Sequence, residues 1–345
     1  MLLHGIFPAL TTPFYPDGKV YVRKLEANVE RYSKTPVAGL VVLGSTGEAI
    51  LLSADEQREV LRAAREAAAP EKALIAGTGS ESAIETLRLT EYAATLGYDV
   101  AMVRTPHYYK AQMKPENMLA FYRTVADRSP LPVIIYNFPP NTGYDIPAEV
   151  VSALAEHPNL IGIKESGGDI NKVKAMVAGT RHVQRTAAVT EIFEAVTGRM
   201  KAAPAAANVV PASALGQVAV AAPPAGPKTR TKDVGFQVMV GSAHLLQSML
   251  NAGAVGAILA FADCAPTACF EIYAAWKDND VELAREKQER IARASLRVVG
   301  ELGVPGLKHA LDFNGYYGGP PRLPLLAPTA EVKAEIERLL ENIRN

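Results

Sequence analysis

The sequence predicts a closed (β/α)8 TIM barrel, with a C-terminal helical extension and an Ala/Pro-rich insertion between the sixth helix and the seventh strand. Two observations carry that prediction. Short apolar runs alternate with longer amphipathic segments through most of the 345 residues, and eight such pairs can be traced. Crossover-length helices between strands imply parallel pairing, and eight repeats of the unit imply closure. A doubly wound open sheet is the competing architecture, and it is weakened because no glycine-rich dinucleotide fingerprint follows the first strand.

Strands are predicted at 5–11, 39–43, 73–77, 100–104, 133–136, 160–164, 237–240 and 256–260, each a short apolar run. The helices are predicted at 23–33, 54–69, 81–96, 115–126, 147–156, 170–177, 243–251 and 265–276. Their starts carry local signals. Ser53-Ala54-Asp55-Glu56 reads as a capping box, and Pro147 sits in a first turn. The barrel is expected to span 1–280, interrupted by the insertion at 181–235, with the extension at 281–345 forming helices around Pro305, Pro320-Pro321 and Pro324.

The insertion opens with a predicted helix at 191–200. It then becomes Ala/Pro-rich, as in Ala202-Ala203-Pro204-Ala205-Ala206-Ala207 and Ala221-Ala222-Pro223-Pro224, which offers little to bury. A helix-to-strand connection lies on the barrel face opposite the active site, so the insertion is expected to bear on assembly or solubility. A rival alignment takes 182–186 as the seventh strand. Residues 237–240 are preferred, because Gly253-Ala254-Val255-Gly256 then leads into the eighth strand at normal spacing.

Composition narrows the function. Lys plus Arg and Asp plus Glu both number 36, so no global field attracts nucleic acid or an acidic membrane. Cys264 and Cys269 have no metal-ligand company and read as small buried residues of a reducing compartment. The six histidines are scattered, and none pairs at metal spacing. Residues 1–12 lack a basic leader region, and no apolar stretch approaches a membrane span. The expectation is a soluble cytoplasmic protein with no metal, no nucleic-acid partner and no membrane partner.

Lys164 is the most informative residue. It closes the apolar run Leu160-Ile161-Gly162-Ile163. A lysine ending a buried strand is desolvated, its pKa falls, and the neutral amine can add to a ketone as a Schiff base. The alternative is an ordinary strand-end lysine that reaches solvent. Other polar residues stand at predicted strand ends, where a barrel of this kind carries its chemistry. Gly44-Ser45-Thr46-Gly47-Glu48 can form an anion nest with two hydroxyls, or be no more than a tight turn. Tyr136 ends the strand beside Lys164, and Tyr108 and Tyr109 come after the fourth strand. Each tyrosine can be a core cap, while a phenol near an imine can also move protons. A carboxylate nest, a phenol and a desolvated lysine at one mouth suit Schiff-base catalysis on a 2-oxo acid.

With these motifs in order, the chain resembles the dihydrodipicolinate synthase / N-acetylneuraminate lyase superfamily of pyruvate-dependent class I aldolases. The motifs are Gly44-Ser45-Thr46-Gly47-Glu48, Tyr136-Asn137-Phe138-Pro139 and Gly162-Ile163-Lys164-Glu165-Ser166. The resemblance implies that Lys164 forms the imine and that Tyr136 relays protons. It implies that Ser45 and Thr46 hold the carboxylate, with Thr46 completing the relay, and that Tyr108 reaches a neighbouring subunit's site. Residues Ser166, Gly241 and Ser242 are expected to help bind substrate. No cofactor is implied, because the lysine is the electron sink, and a homotetramer or homodimer is expected.

In the synthase proper an arginine stands five positions after the relay tyrosine. Here that position is Asn141, also expected to face substrate. Several segments resemble the 4-hydroxy-2-oxoglutarate aldolase branch instead. They are Asn141-Thr142-Gly143-Tyr144-Asp145, Glu165-Ser166-Gly167-Gly168-Asp169, Val240-Gly241-Ser242-Ala243, Gly303-Val304-Pro305-Gly306-Leu307-Lys308 and Phe313-Asn314-Gly315-Tyr316-Tyr317-Gly318-Gly319-Pro320. Thr46 and Asn137 stay nearer the synthase and lyase branches. The expected reaction is cleavage of 4-hydroxy-2-oxoglutarate to pyruvate and glyoxylate. The alternatives are the synthase reaction of pyruvate with aspartate semialdehyde, N-acetylneuraminate cleavage, sugar-acid dehydration, or a catalytically silent barrel that binds a 2-oxo acid.

Overall fold

The computed structural model describes residues 1–202 and 228–343. Among the described residues ten strands run in chain order: β1 (Gly5–Pro8), β2 (Gly39–Val42), β3 (Ala73–Gly77), β4 (Val100–Arg104), β5 (Val133–Asn137), β6 (Leu160–Glu165), β7 (Thr186–Thr190), β8 (Thr229–Asp233), β9 (Gln237–Val240) and β10 (Gly256–Leu259). All but β7 and β8 form one 8-stranded sheet, ordered β1-β10-β9-β6-β5-β4-β3-β2 and paired in parallel. The sheet closes on itself between β1 and β2. There Ala9 bridges Val41 in parallel, the Leu10 N–H donates to the Val41 carbonyl at 2.9 Å, and the Ala38 N–H donates to that of Ile6 at 2.9 Å. The fold is the predicted (β/α)8 barrel, with 237–240 as its seventh strand.

The helices α1 (Val22–Ser33), α2 (Ala54–Ala67), α3 (Ala83–Leu96), α4 (Pro115–Arg128), α5 (Pro139–Thr142), α6 (Ala148–Ala155) and α7 (Ile170–Gly179) connect the strands in turn. Beyond α8 (Gly198–Ala202) come α9 (Leu246–Asn251), α10 (Phe261–Cys264) and α11 (Pro266–Lys277). The C-terminal helices are α12 (Val281–Ser295), α13 (Gly303–Phe313) and α14 (Ala330–Leu340). The capping box at Ser53 is formed in full, with Glu56 N–H donating to the serine and the Glu56 carboxylate accepting from Ser53 N–H. No helix of the described residues is long and apolar enough to cross a membrane.

Strand alternation sorts side chains into two layers. Phe7, Val41, Ile75, Val100, Met102, Ile134, Met239 and Ile258 fill the barrel interior. Their neighbours Ile6, Leu40, Leu74, Ala101, Val103, Ile135, Ile163 and Val238 pack outward under the helices. Continuing the inner parity to the strand ends places Arg104 after Met102 and Tyr136 after Ile134. A register irregularity between Val133 and Ile134 then pairs Ile134 with Gly162 and Tyr136 with Lys164. Three polar side chains therefore stand side by side at the carboxyl mouth, since Arg104 also pairs with Tyr136.

The insertion departs from one expectation. Residues 191–200 do not form a single helix; only Gly198–Ala202 is helical. Instead β7 turns back on itself at Thr190, whose Oγ1 accepts from the Glu194 N–H at 3.0 Å, and Phe193 takes φ 64°. β7 then pairs antiparallel with β8, a partner roughly forty residues on that local sequence does not announce. This two-stranded sheet packs Ala187 and Val189 on Leu2, under the amino-terminal end of the barrel and away from Lys164. The Ala/Pro-rich runs at 203–207 and 221–224 lie outside the described residues.

Candidate active site

Lys164 lies on β6, whose residues are all buried. It is 4% exposed, and among the described residues its side chain makes no ion pair or hydrogen bond. Burial alone lowers its pKa from the ordinary 10.5 to about 7. Desolvation penalises the ammonium form and no carboxylate offsets that penalty, so a large neutral fraction exists near neutrality. Its Nζ lies 4.2 Å from the centre of the Tyr136 ring. The snorkelling alternative does not describe this side chain.

Tyr136 is also buried, and burial raises its phenol to about 12, although the Ser45 hydroxyl opposes the shift. At working pH it is a neutral donor. Ser45 Oγ stands 3.3 Å from the phenol oxygen, so the hydroxyl that reaches Tyr136 directly is Ser45 rather than Thr46. Thr46 is buried next to it in a single 3-10 turn, Ser45–Gly47. Two non-glycine residues with left-handed backbone flank this loop, Leu43 at φ 62° and Glu48 at φ 54°. Such conformations cost roughly 1–3 kcal/mol each and persist only where the surroundings hold them.

Glu48 supplies much of that hold. Its Oε1 lies 2.6 Å from Lys308 Nζ, with both side chains 1% exposed, and its Oε2 accepts from the Arg322 N–H at 2.8 Å. Lys308 also donates to the Thr12 carbonyl at 2.9 Å and that of Pro320 at 3.0 Å. The C-terminal extension is thereby fastened to the loop after β2. Removing one partner of a buried pair leaves an uncompensated charge and costs about 3–5 kcal/mol. Lys308→Met is expected to lose about that much stability in urea unfolding and to weaken 2-oxo acid binding. Lys308→Met combined with Glu48→Gln should recover most of the stability; equal loss in both variants would show that the pair does not anchor the loop.

The loops after β6 and β9 meet at the same mouth. A Cβ at Gly241 would stand 2.0 Å from Ser166 Oγ, so only glycine fits there, and a Cβ at Gly168 would stand 3.8 Å from Ser242 Oγ. Ser166 Oγ is buried and makes no hydrogen bond among the described residues. Asn141 is exposed on the short α5. Tyr108 is 74% exposed, edge-on to Tyr109, and far from enclosed by its own chain.

The sequence assigned no role to three supporting groups. Asn137 donates to Glu165 Oε2 and Asp145 Oδ1, both at 2.8 Å, and so ties the ends of β5 and β6 behind Lys164. Glu48 was visible only as part of a loop motif, with its partner about 260 residues away. Glu81 accepts from the His107 and Tyr108 N–H groups and from Arg104 Nη1, all at 2.9 Å. Burial pushes its carboxyl up, but these hydrogen bonds together outweigh burial and leave it below the usual range. Among the described residues no group of three or more His, Cys, Asp or Glu side chains could hold a metal.

Similarity to known proteins has the same outline. Residues 2–188 and 227–343 match the dihydrodipicolinate synthetase family. A probable mitochondrial 4-hydroxy-2-oxoglutarate aldolase of Emericella nidulans is 31% identical, across 99% of this chain and 98% of the relative. A 4-hydroxy-tetrahydrodipicolinate synthase of Methanothrix thermoacetophila is 29% identical, across 98% of this chain and 96% of the relative. Among solved structures, YagE, a prophage protein of the dihydrodipicolinic acid synthase family from E. coli K12 in complex with pyruvate, superposes with a TM-score of 0.78. It is 26% identical, and the match covers 99% of each chain.

Proposed function

This chain belongs to the dihydrodipicolinate synthetase family, and from that premise we propose that it cleaves 4-hydroxy-2-oxoglutarate to pyruvate and glyoxylate. It is a pyruvate-using class I aldolase or lyase that works through a lysine Schiff base. One observation above all supports Lys164 in that role: a buried, unpaired lysine whose Nζ lies 4.2 Å from the ring centre of Tyr136.

In the proposed reaction neutral Lys164 adds to the C2 carbonyl, water leaves, and an iminium forms. The C4 hydroxyl gives up its proton and the C3–C4 bond breaks. The electron pair of that bond flows into the iminium, releasing glyoxylate and leaving an enamine. Protonation at C3 and hydrolysis return pyruvate and the free lysine. Tyr136 carries the protons, handing them first to Ser45, which its position favours, with Thr46 beyond it. The amides of the Ser45–Gly47 turn hold the C1 carboxylate. Ser166, Gly241 and Ser242 shape the opposite wall, and Asn141 offers a neutral amide beyond. Tyr108 projects to the site of a neighbouring copy, in keeping with its exposure. The polar groups named here supply the required acid, base and nucleophile without a cofactor.

The similarity to a probable aldolase at 31% identity supports this substrate, as do the five segments that resemble that branch. The similarity to synthases supports a second reading, condensation of pyruvate with aspartate semialdehyde. Against it, Asn141 provides no cation where a carboxylate would be clamped. A substrate panel separates them. Release of pyruvate and glyoxylate from 4-hydroxy-2-oxoglutarate should show the highest kcat/KM. Faster condensation with aspartate semialdehyde, or faster cleavage of N-acetylneuraminate, would replace it with that reaction.

A further inference from the structure

β4 is apolar until its last residue, and that residue is Arg104. Its parity is that of Val100 and Met102, both inside the barrel, and it pairs in register with Tyr136, which pairs with Lys164. Adjacent strands lie about 4.8 Å apart, so the β4 and β6 backbones are separated by roughly 10 Å at this level. An arginine side chain and a five-carbon acid held on Lys164 are together long enough to span that gap.

The surroundings fit a carboxylate. Arg104 lines a cavity of about 240 Å³ together with Leu43, Ser45, Gly77, Met102 and Tyr136. Its side chain is 19% exposed, less than Arg58 at 46% and Arg88 at 64%, which line the outer part of this cavity and pair with Asp55 and Glu85. Glu81 holds Arg104 by Nη1 at 2.9 Å, and His107 Nδ1 is 3.4 Å from the same nitrogen. Among the described residues Nε and Nη2 make no hydrogen bond, so a guanidinium already oriented still has donors to give. Space for it is built in, because a Cβ at Gly79 would stand 2.9 Å from Arg104 Cγ.

We infer that Arg104 binds the distal carboxylate of a dicarboxylic 2-oxo acid held at C2 on Lys164. The inference rests on the Schiff-base reading above and narrows its substrate class. It also supplies, from a different strand, the cation that Asn141 does not provide.

The test is borohydride trapping on Lys164 with two probes of equal length, 2-oxoglutarate and the monoacid 2-oxopentanoate, with pyruvate as reference. The readout is the ratio of half-saturating concentrations for the two probes. A loss of packing alone would leave that ratio unchanged. A forked, charge-assisted contact predicts that the wild-type protein favours the diacid by about ten-fold or more, and that Arg104→Gln brings the ratio near one. Arg104→Lys keeps charge but loses the fork; it should give an intermediate ratio, and it serves if the Gln variant does not fold. If pyruvate labels Lys164 but the wild-type preference is absent, or persists in the variants, the role of Arg104 is overturned and the Schiff-base reading stands. If pyruvate gives no adduct on the folded wild-type protein, both fall.

Discussion

Lys164→Met is expected to abolish turnover and every trappable adduct while leaving the protein as stable as before, or more so. The side chain that is lost is 4% exposed and makes no ion pair or hydrogen bond among the described residues. Its charged form is therefore a liability to the fold, and an apolar chain of similar volume removes that liability. The pH dependence gives the sign. Burial lowers the lysine pKa from 10.5 to about 7 in the folded chain. Between those values the unfolded state binds a proton that the folded state does not, so stability rises with pH through that window. Below about 7 both states carry the charge and the full penalty applies. The difference between wild type and Lys164→Met in urea unfolding at pH 6, 8 and 10 should shrink as pH rises. A variant that is several kcal/mol less stable at every pH, or one that still turns over, would remove Lys164 from the role given to it.

Tyr136→Phe is the second large effect. The phenol is neutral at working pH, because burial pushes its pKa to about 12, and only its hydroxyl contacts Ser45. Phenylalanine keeps the ring that stacks on Phe138, with centroids 5.8 Å apart, and the ring face under Lys164. Fold and lysine position should survive. Loss of a positioned proton carrier typically lowers rate by about 10²–10⁴-fold. Rapid-quench borohydride trapping should show slow imine formation that still reaches the wild-type endpoint. A wild-type rate would take Tyr136 out of the relay.

Most of the barrel was legible because its signals are local. Apolar runs, capping residues and glycine breaks recur at the spacing that a crossover unit requires. β9 was distinguishable from the rival at 182–186 because an apolar eighth strand stands behind it at normal spacing. The burial of Lys164 was legible because a lysine ending a fully apolar run is anomalous. Arg104 was not, for a physical reason. A strand buried on both faces reads Val100-Ala101-Met102-Val103 with no alternation, so nothing in the sequence says which way Arg104 points. The Glu48–Lys308 pair joins the loop after β2 to α13, and neither residue reveals the other. The turn at Thr190 and the pairing of β7 with β8 likewise depend on a distant partner, which is why 191–200 was expected to be helical throughout. Ser45 and Thr46 were both visible, but only three-dimensional placement shows which hydroxyl meets the phenol.

The most direct measurement is borohydride reduction of the wild-type protein with pyruvate, read by intact mass and peptide mapping. One reduced adduct per chain, on Lys164, is the predicted result. A folded protein that gives no adduct, or an adduct mapped to another lysine, would contradict Lys164 as the Schiff-base residue.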